Sequence, residues 1–229
     1  MNRSSEVRAE ISTPPLQAAI SDMSKLILGK DRQVRLALTC LLAGGHLLIE
    51  DVPGVGKTTL AQTLARVLGL DFSRVQFTSD LLPNDILGVS MYDQREGTFS
   101  FHPGPIFSQL VLADEVNRAS PKTQSALLEA MEERQVTIDG ETRPLPDPFF
   151  VVATQNPSDQ IGTFVLPESQ LDRFLMCIEL GYPSASAERA LLQQRSRREM
   201  LPEIQPVFTP ADFVILQAQV GKIKVSDAL

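Results

Sequence analysis

No stretch of the chain reaches the ~18 consecutive apolar residues that a membrane-spanning helix requires. The first residues are polar and mixed in charge, unlike a secretory leader, so a cytoplasmic protein with no transmembrane segment is expected. Basic residues are outnumbered, 21 Lys and Arg against 28 Asp and Glu, for a net charge of −7. That balance argues against holding nucleic acid through a broad basic surface. Cysteine is scarce as well. The two present, Cys40 and Cys177, both lie in apolar stretches and are expected as buried, reduced core thiols rather than a disulfide or metal pair. No internal repeat is found. What is there, 229 residues with 43% hydrophobic and 21% charged content, suits a packed globule of one large domain or one domain plus part of another.

The densest signal is Glu50-Asp51-Val52-Pro53-Gly54-Val55-Gly56-Lys57-Thr58-Thr59. The apolar run Leu47-Leu48-Ile49 leads in, and a helical pattern from Leu60 to Leu68 leads out. Strand, glycine turn, Gly-Lys-Thr and helix in that order make the context of a phosphate-binding loop. Gly54 and Gly56 permit a tight turn with N–H groups aimed inward. The helix that starts near Lys57 presents its positive end to the same place. Lys57 supplies a point charge for outer phosphates, and the Thr58 hydroxyl is placed to ligate Mg²⁺. The usual pattern opens on glycine, whereas Asp51 stands there in this chain.

Around this loop the chain alternates strands and helices. Residues 1–13 are polar and expected to be loose. One helix is expected from Pro14 through Ile27, stopped by Gly29, and a second is expected to be capped by Asp31 and to end at Gly44-Gly45. Strands are expected at 46–50, 74–78, 110–113, 149–154 and 175–180. Residues 88–92 and 98–101 suggest one hairpin, and 135–138 with 142–145, turning at Asp139-Gly140, suggest another. Ser120-Pro121 opens a helix with Pro at its first position. The result is an α/β fold with a mostly parallel sheet. After Gly181-Tyr182-Pro183 only helices follow, at 187–197 and 210–220. A boundary is therefore expected near residue 183, with a core over 1–183 and a partial helical lid over 184–229.

Three further segments carry chemistry. Asp114 and Glu115 end an apolar strand. The first can hold Mg²⁺, and the second can orient and deprotonate water. Asn156 ends another strand, where it either positions the attacking water or serves as a turn residue ahead of Pro157. Arg173 either makes a local salt bridge with Glu168 or Asp172, or reaches a neighbouring subunit's nucleotide as an arginine finger.

This ordered set resembles the AAA+ ATPases, and within them the MoxR family. The matching segments are Glu50–Thr59, Leu81–Gly88, Phe101–Phe107, Leu112–Ser120, Ala153–Pro157 and Leu166–Met176. The resemblance covers roughly residues 15–220, and Asp at position 51 looks ordinary within it. It implies an ATPase using ATP and Mg²⁺, with sheet order 5-1-4-3-2. Residues 84–105 would be the helix-2 insert, and the hairpin at 135–147 would precede the sensor strand. Asn156 would be sensor 1 and Arg173 the trans-acting finger. It further implies a homo-oligomer, usually a hexameric ring, with a chaperone-like role on protein clients that often carry a von Willebrand factor A domain. A second sensor arginine is implied in the lid, yet Arg197 and Arg198 lie too early in the chain to match it.

Two other readings compete. A nucleic-acid motor should carry basic pore hairpins, but residues 132–147 set Arg134 and Arg143 against Glu132, Glu133, Asp139, Glu141 and Asp147. Nucleic acid is therefore disfavoured, while a metal-chelatase motor is not opposed by charge. The other is a scaffold that binds ATP without turning it over.

Overall fold

The computed structural model describes residues 13–95, 97–157, 162–193 and 196–223. The polar stretch ahead of residue 13 lies outside these residues, as do 224–229 and the side chains of Arg197 and Arg198.

The chain opens with helices α1 (Thr13–Leu26) and α2 (Asp31–Leu42), followed by strand β1 (Leu47–Glu50) and helix α3 (Lys57–Leu68). Strand β2 (Phe72–Gln76) leads to the short helix α4 (Pro83–Leu87) and the hairpin β3 (Gly88–Asp93) and β4 (Thr98–Pro103). Then come β5 (Leu110–Asp114), α5 (Pro121–Glu133), the hairpin β6 (Gln135–Ile138) and β7 (Glu141–Pro144), and β8 (Phe150–Gln155). The helix α6 (Glu168–Leu171), strand β9 (Met176–Ile178) and helices α7 (Ala185–Gln193), α8 (Arg197–Met200) and α9 (Pro210–Val220) complete it.

Five strands form one parallel sheet in the order β2-β5-β8-β1-β9. Counted along the chain without the hairpins, that is the expected order 5-1-4-3-2. The central strands read as continuous apolar runs because both sheet faces are covered. Alternate residues divide cleanly between them. Leu47, Ile49, Leu110, Leu112, Phe150 and Val152 pack with α1, α2 and α3. Leu48, Val111, Ala113, Val151 and Ala153 pack with α5. Phe213 and Leu216 of α9 belong to the first of these cores. Phe213 is fully buried, edge-on to Phe150 at 5.9 Å.

Several local expectations shift. β2 starts at Phe72 and stops at Gln76, because its register is set by pairing Phe72 with Leu110 through Gln76 with Asp114. Lys30, not Asp31, is the N-cap of α2, and Asp31 instead accepts the Ser24 hydroxyl at 2.6 Å. The helix expected over 187–197 is α7 at Ala185–Gln193, with Arg197–Met200 a separate turn. Cys40 is buried but Cys177 is exposed, because β9 is an edge strand. The second hairpin turns at Asp139 and Gly140, both at positive φ (52° and 80°), the geometry that a two-residue hairpin demands. Arg143 of that hairpin lies 4.1 Å over the ring of Phe101 in the first, so the two hairpins touch.

Candidate active site

Parallel α/β sheets place their sites beyond the carboxyl ends of the strands. Here β1, β5 and β8 end side by side, delivering Asp51, Asp114 and Gln155-Asn156 to one edge. The loop from Asp51 to Gly56 leaves β1 and turns at Gly54 (φ 86°) and Gly56 (φ 104°). A side chain at either position would be strained. Gly56 is the N-cap of α3, so Lys57 is the first helical residue and the unpaired N–H groups of that first turn face the loop. Val52, Val55, Thr58 and Thr59 are half-buried, and Pro53 is exposed.

Lys57 is buried, at 9% exposure. Its ammonium donates to Asp51 O and, at 3.2 Å, to Val52 O. Burial lowers its proton affinity, and the charges of Asp51, Asp114 and Glu115 act against that loss. The lysine therefore feels all three carboxylates.

Those carboxylates are held by residues that sequence patterns did not single out. Thr154 Oγ1 donates to Asp114 Oδ1 at 2.7 Å and accepts the Glu115 N–H at 2.9 Å. Arg74 donates to Asp114 Oδ2 from Nε at 3.1 Å and from Nη2 at 2.7 Å. Glu115 has φ 58° and ψ 50°, a left-handed conformation that costs a non-glycine residue roughly 1–3 kcal/mol and concentrates at functional sites. Its Oε2 accepts Gln76 Nε2 at 3.1 Å and Arg118 Nη1 at 2.9 Å. A signal for Arg74 and Gln76 did exist: alternation along β2 puts both on one face, and Gln76 pairs in register with Asp114.

Asn156 is buried at 8% exposure, and its carbonyl faces Asn117 Nδ2 at 3.5 Å. With Glu50, Gln155 and Thr163 the two asparagines line a cavity of about 440 Å³. The buried amide nitrogen of Gln124 lies 2.9 Å from Phe164 O, 3.2 Å from Val116 O and 3.3 Å from Ala119 O and shares its two N–H donors among them, tying the turn after Glu115 to the 163–165 segment. Arg173 is not drawn into this cluster. It pairs with Glu132 at the end of α5 at 2.9 Å, a partner distant in sequence rather than the adjacent Glu168 or Asp172.

The donor set suits ATP with Mg²⁺. Backbone N–H groups at a helix N-terminus and a lysine complement phosphate, and the oxygens of Thr58 and Asp114 are hard ligands of the type Mg²⁺ takes beside phosphate and water.

Comparison with known proteins agrees with this geometry. Residues 46–176 match the profile of the ATPase family associated with various cellular activities (AAA). The chain is 50% identical over 216 residues to the uncharacterized protein YeaC of Bacillus subtilis, covering 94% of this chain and 68% of that protein. It is 46% identical over 209 residues to the chaperone MoxR1 of Mycobacterium tuberculosis, covering 91% of this chain and 54% of that one. A crystal structure from Cytophaga hutchinsonii, provisionally described as an ATPase, superposes with a TM-score of 0.84 at 42% identity, covering 93% of this chain and 65% of its own. The chain thus spans between about half and two thirds of the length of these relatives. With the phosphate loop, the paired acids after β5 and the 5-1-4-3-2 sheet in place, these similarities settle the family: the chain belongs to the MoxR family of AAA+ ATPases.

Proposed function

We propose that this chain binds and hydrolyses ATP, and that hydrolysis drives the remodelling or maturation of partner proteins. The observation that carries the reading is the juxtaposition, at one edge of the sheet, of the 51–56 loop with its buried Lys57 and the paired acids Asp114 and Glu115 at the end of β5. Lys57 and the N–H groups of the 51–59 loop hold the phosphates, and Thr58 and Asp114 hold the metal. Mg²⁺, when bound, neutralises charge on the phosphate oxygens. Glu115 accepts a proton from water as the water oxygen attacks the terminal phosphorus. The bond to the bridging oxygen breaks and ADP departs with that electron pair. Asn156 orients the water. Arg173 of one subunit stabilises the charge developing at the next subunit's site, where such an arginine is worth about 10³–10⁵ in turnover.

A site shared in this way needs an oligomer, so a homo-oligomeric ring, hexameric by family resemblance, is part of the proposal. The client reading is supported by the chaperone name of the relative at 46% identity, and proteins with von Willebrand factor A domains are the first clients to try.

One observation favours a second reading, nucleotide binding without turnover. Asp114 and Glu115 are each ion-paired to an arginine of their own chain, Arg74 and Arg118. Turnover measured against protein concentration separates the two. Hydrolysis at a shared site predicts specific activity that rises as subunits assemble, and flat, negligible phosphate release at every concentration supports the scaffold.

A further inference from the structure

Asp51 occupies the loop position where the general pattern has glycine, and its carboxylate makes contacts that glycine cannot. Oδ1 accepts the Val52 N–H at 2.8 Å, and Oδ2 accepts the Gly181 N–H at 2.5 Å. The residue is 9% exposed, so these charge-assisted bonds are shielded from water and strong. The backbone of the same residue faces the other way functionally: Asp51 O accepts the Lys57 ammonium.

Gly181 lies where the chain leaves the sheet. It follows β9 and turns at φ 65°. The next carbonyl, Tyr182 O, accepts Lys30 Nζ at 2.7 Å. Ser184 O accepts the Glu188 N–H at 2.8 Å as α7 begins. Gly29 sits so close to α7 that a Cβ there would stand 3.0 Å from Ala187 Cβ. Residues 181–184 therefore form a tightly held joint between the sheet and α7, and the first residue of the phosphate loop holds one side of it.

We infer that Asp51 is a positioning residue that carries nucleotide occupancy from the phosphate loop to the 181–184 joint, and so to the helices that follow. The inference rests on the nucleotide reading above. Lys57 is the group assigned to the outer phosphates, so its bond to Asp51 O differs between the occupied and the free loop. A site can bias a distant element only through such a differential interaction. Asp51 has the differential contact on its carbonyl and the joint on its carboxylate. By linkage, the joint must bias nucleotide affinity in return.

Amide hydrogen exchange on the wild-type protein, Asp51→Gly and Asp51→Ala tests this, each with and without saturating ADP and Mg²⁺. Asp51→Gly restores the general loop pattern and removes both carboxylate contacts. Asp51→Ala removes both contacts without the added backbone freedom of glycine and decides the matter if the glycine variant does not fold. Slow exchange in β5 and β8 reports that each variant is folded. In the wild type, ADP should slow exchange across 181–188 about tenfold, and in the variants less than about twofold. Equal protection of 181–188 in wild type and variants overturns the inference, as does a wild type that binds ADP with no change at 181–188. In both of those cases the nucleotide reading stands. A wild type that binds no nucleotide overturns that reading and the inference together.

Discussion

Thr154 Oγ1 donates to Asp114 Oδ1 across 2.7 Å, locking the end of β8 to the end of β5 at the carboxylate assigned to Mg²⁺. Because the same oxygen accepts the Glu115 N–H, one hydroxyl fixes the Asp114 carboxylate and the Glu115 backbone together. Thr154→Val keeps the shape and removes the hydroxyl, leaving a buried acceptor and a half-buried N–H without their partner. The expected cost is about 1–3 kcal/mol of stability. The larger effect should fall on kcat, lowered about 10- to 100-fold with little change in KM, since misaimed acids lose transition-state rather than ground-state interactions. Steady-state ATPase kinetics beside urea unfolding checks both halves.

His46 predicts a pH dependence of stability. Its ring is 6% exposed, with Nδ1 accepting the Val151 N–H at 2.9 Å and Nε2 facing Met131 O at 3.3 Å. That pattern requires the neutral ring with hydrogen on Nε2. Burial pushes its pKa down from 6.5 to about 4. The unfolded chain then binds the proton more readily than the folded one between those values. Stability from this group is complete above pH 6.5 and is lost as pH falls toward 4. Between pH 7 and pH 5 the loss should be about 2 kcal/mol. Urea unfolding at the two pH values measures it, and the His46 ring signals should hold their neutral positions down to pH 5.

Phe213 tests whether α9 is part of the main core. It is fully exposed to no solvent, packed between Phe150 at 5.9 Å and Phe208 at 6.3 Å. Phe213→Ala should destabilise the whole protein by about 3–5 kcal/mol. A single cooperative unfolding transition shifted to lower urea would confirm a shared core. A wild-type transition for the sheet alongside separate loss of helix would contradict it.

Arg173 and Glu115 should complement one another. If the arginine acts on a neighbour's site, Arg173→Ala and Glu115→Gln are each inactive alone, yet mixed oligomers contain sites with an intact glutamate and an intact arginine. Mixing the two purified variants should therefore restore phosphate release to at least about tenfold above either alone. No recovery on mixing, with mixed oligomers shown to form, would place Arg173 outside a shared site.

The parts of this protein that were legible in sequence are those fixed by near neighbours. The glycines of the 51–59 loop, the Ser120-Pro121 start of α5, the Asp139-Gly140 turn and the apolar runs of β1, β5 and β8 all encode their conformation within a few residues. What could not be read depends on partners far apart in the chain. β2 takes its limits from pairing with β5. Cys177 lies in an apolar stretch, yet its strand is at the sheet edge. Arg173 has two acids just ahead of it in sequence, Glu168 and Asp172, but pairs with Glu132. Asp51 looked like a harmless departure from a glycine pattern, while its carboxylate bonds Gly181, 130 residues on. Composition and periodicity describe the face a residue occupies, and pairing across the fold decides what its polar atoms meet.

The central claim, that Glu115 and the 51–59 loop form a working ATPase site, is tested most directly by measuring ATP affinity and phosphate release on the wild type and Glu115→Gln under the same conditions. The account predicts ATP affinities within about threefold of each other and phosphate release lower by about 10²-fold or more in the variant. Equal phosphate release from the two proteins, or a wild type that neither binds nor hydrolyses ATP at concentrations where it is assembled, would contradict it.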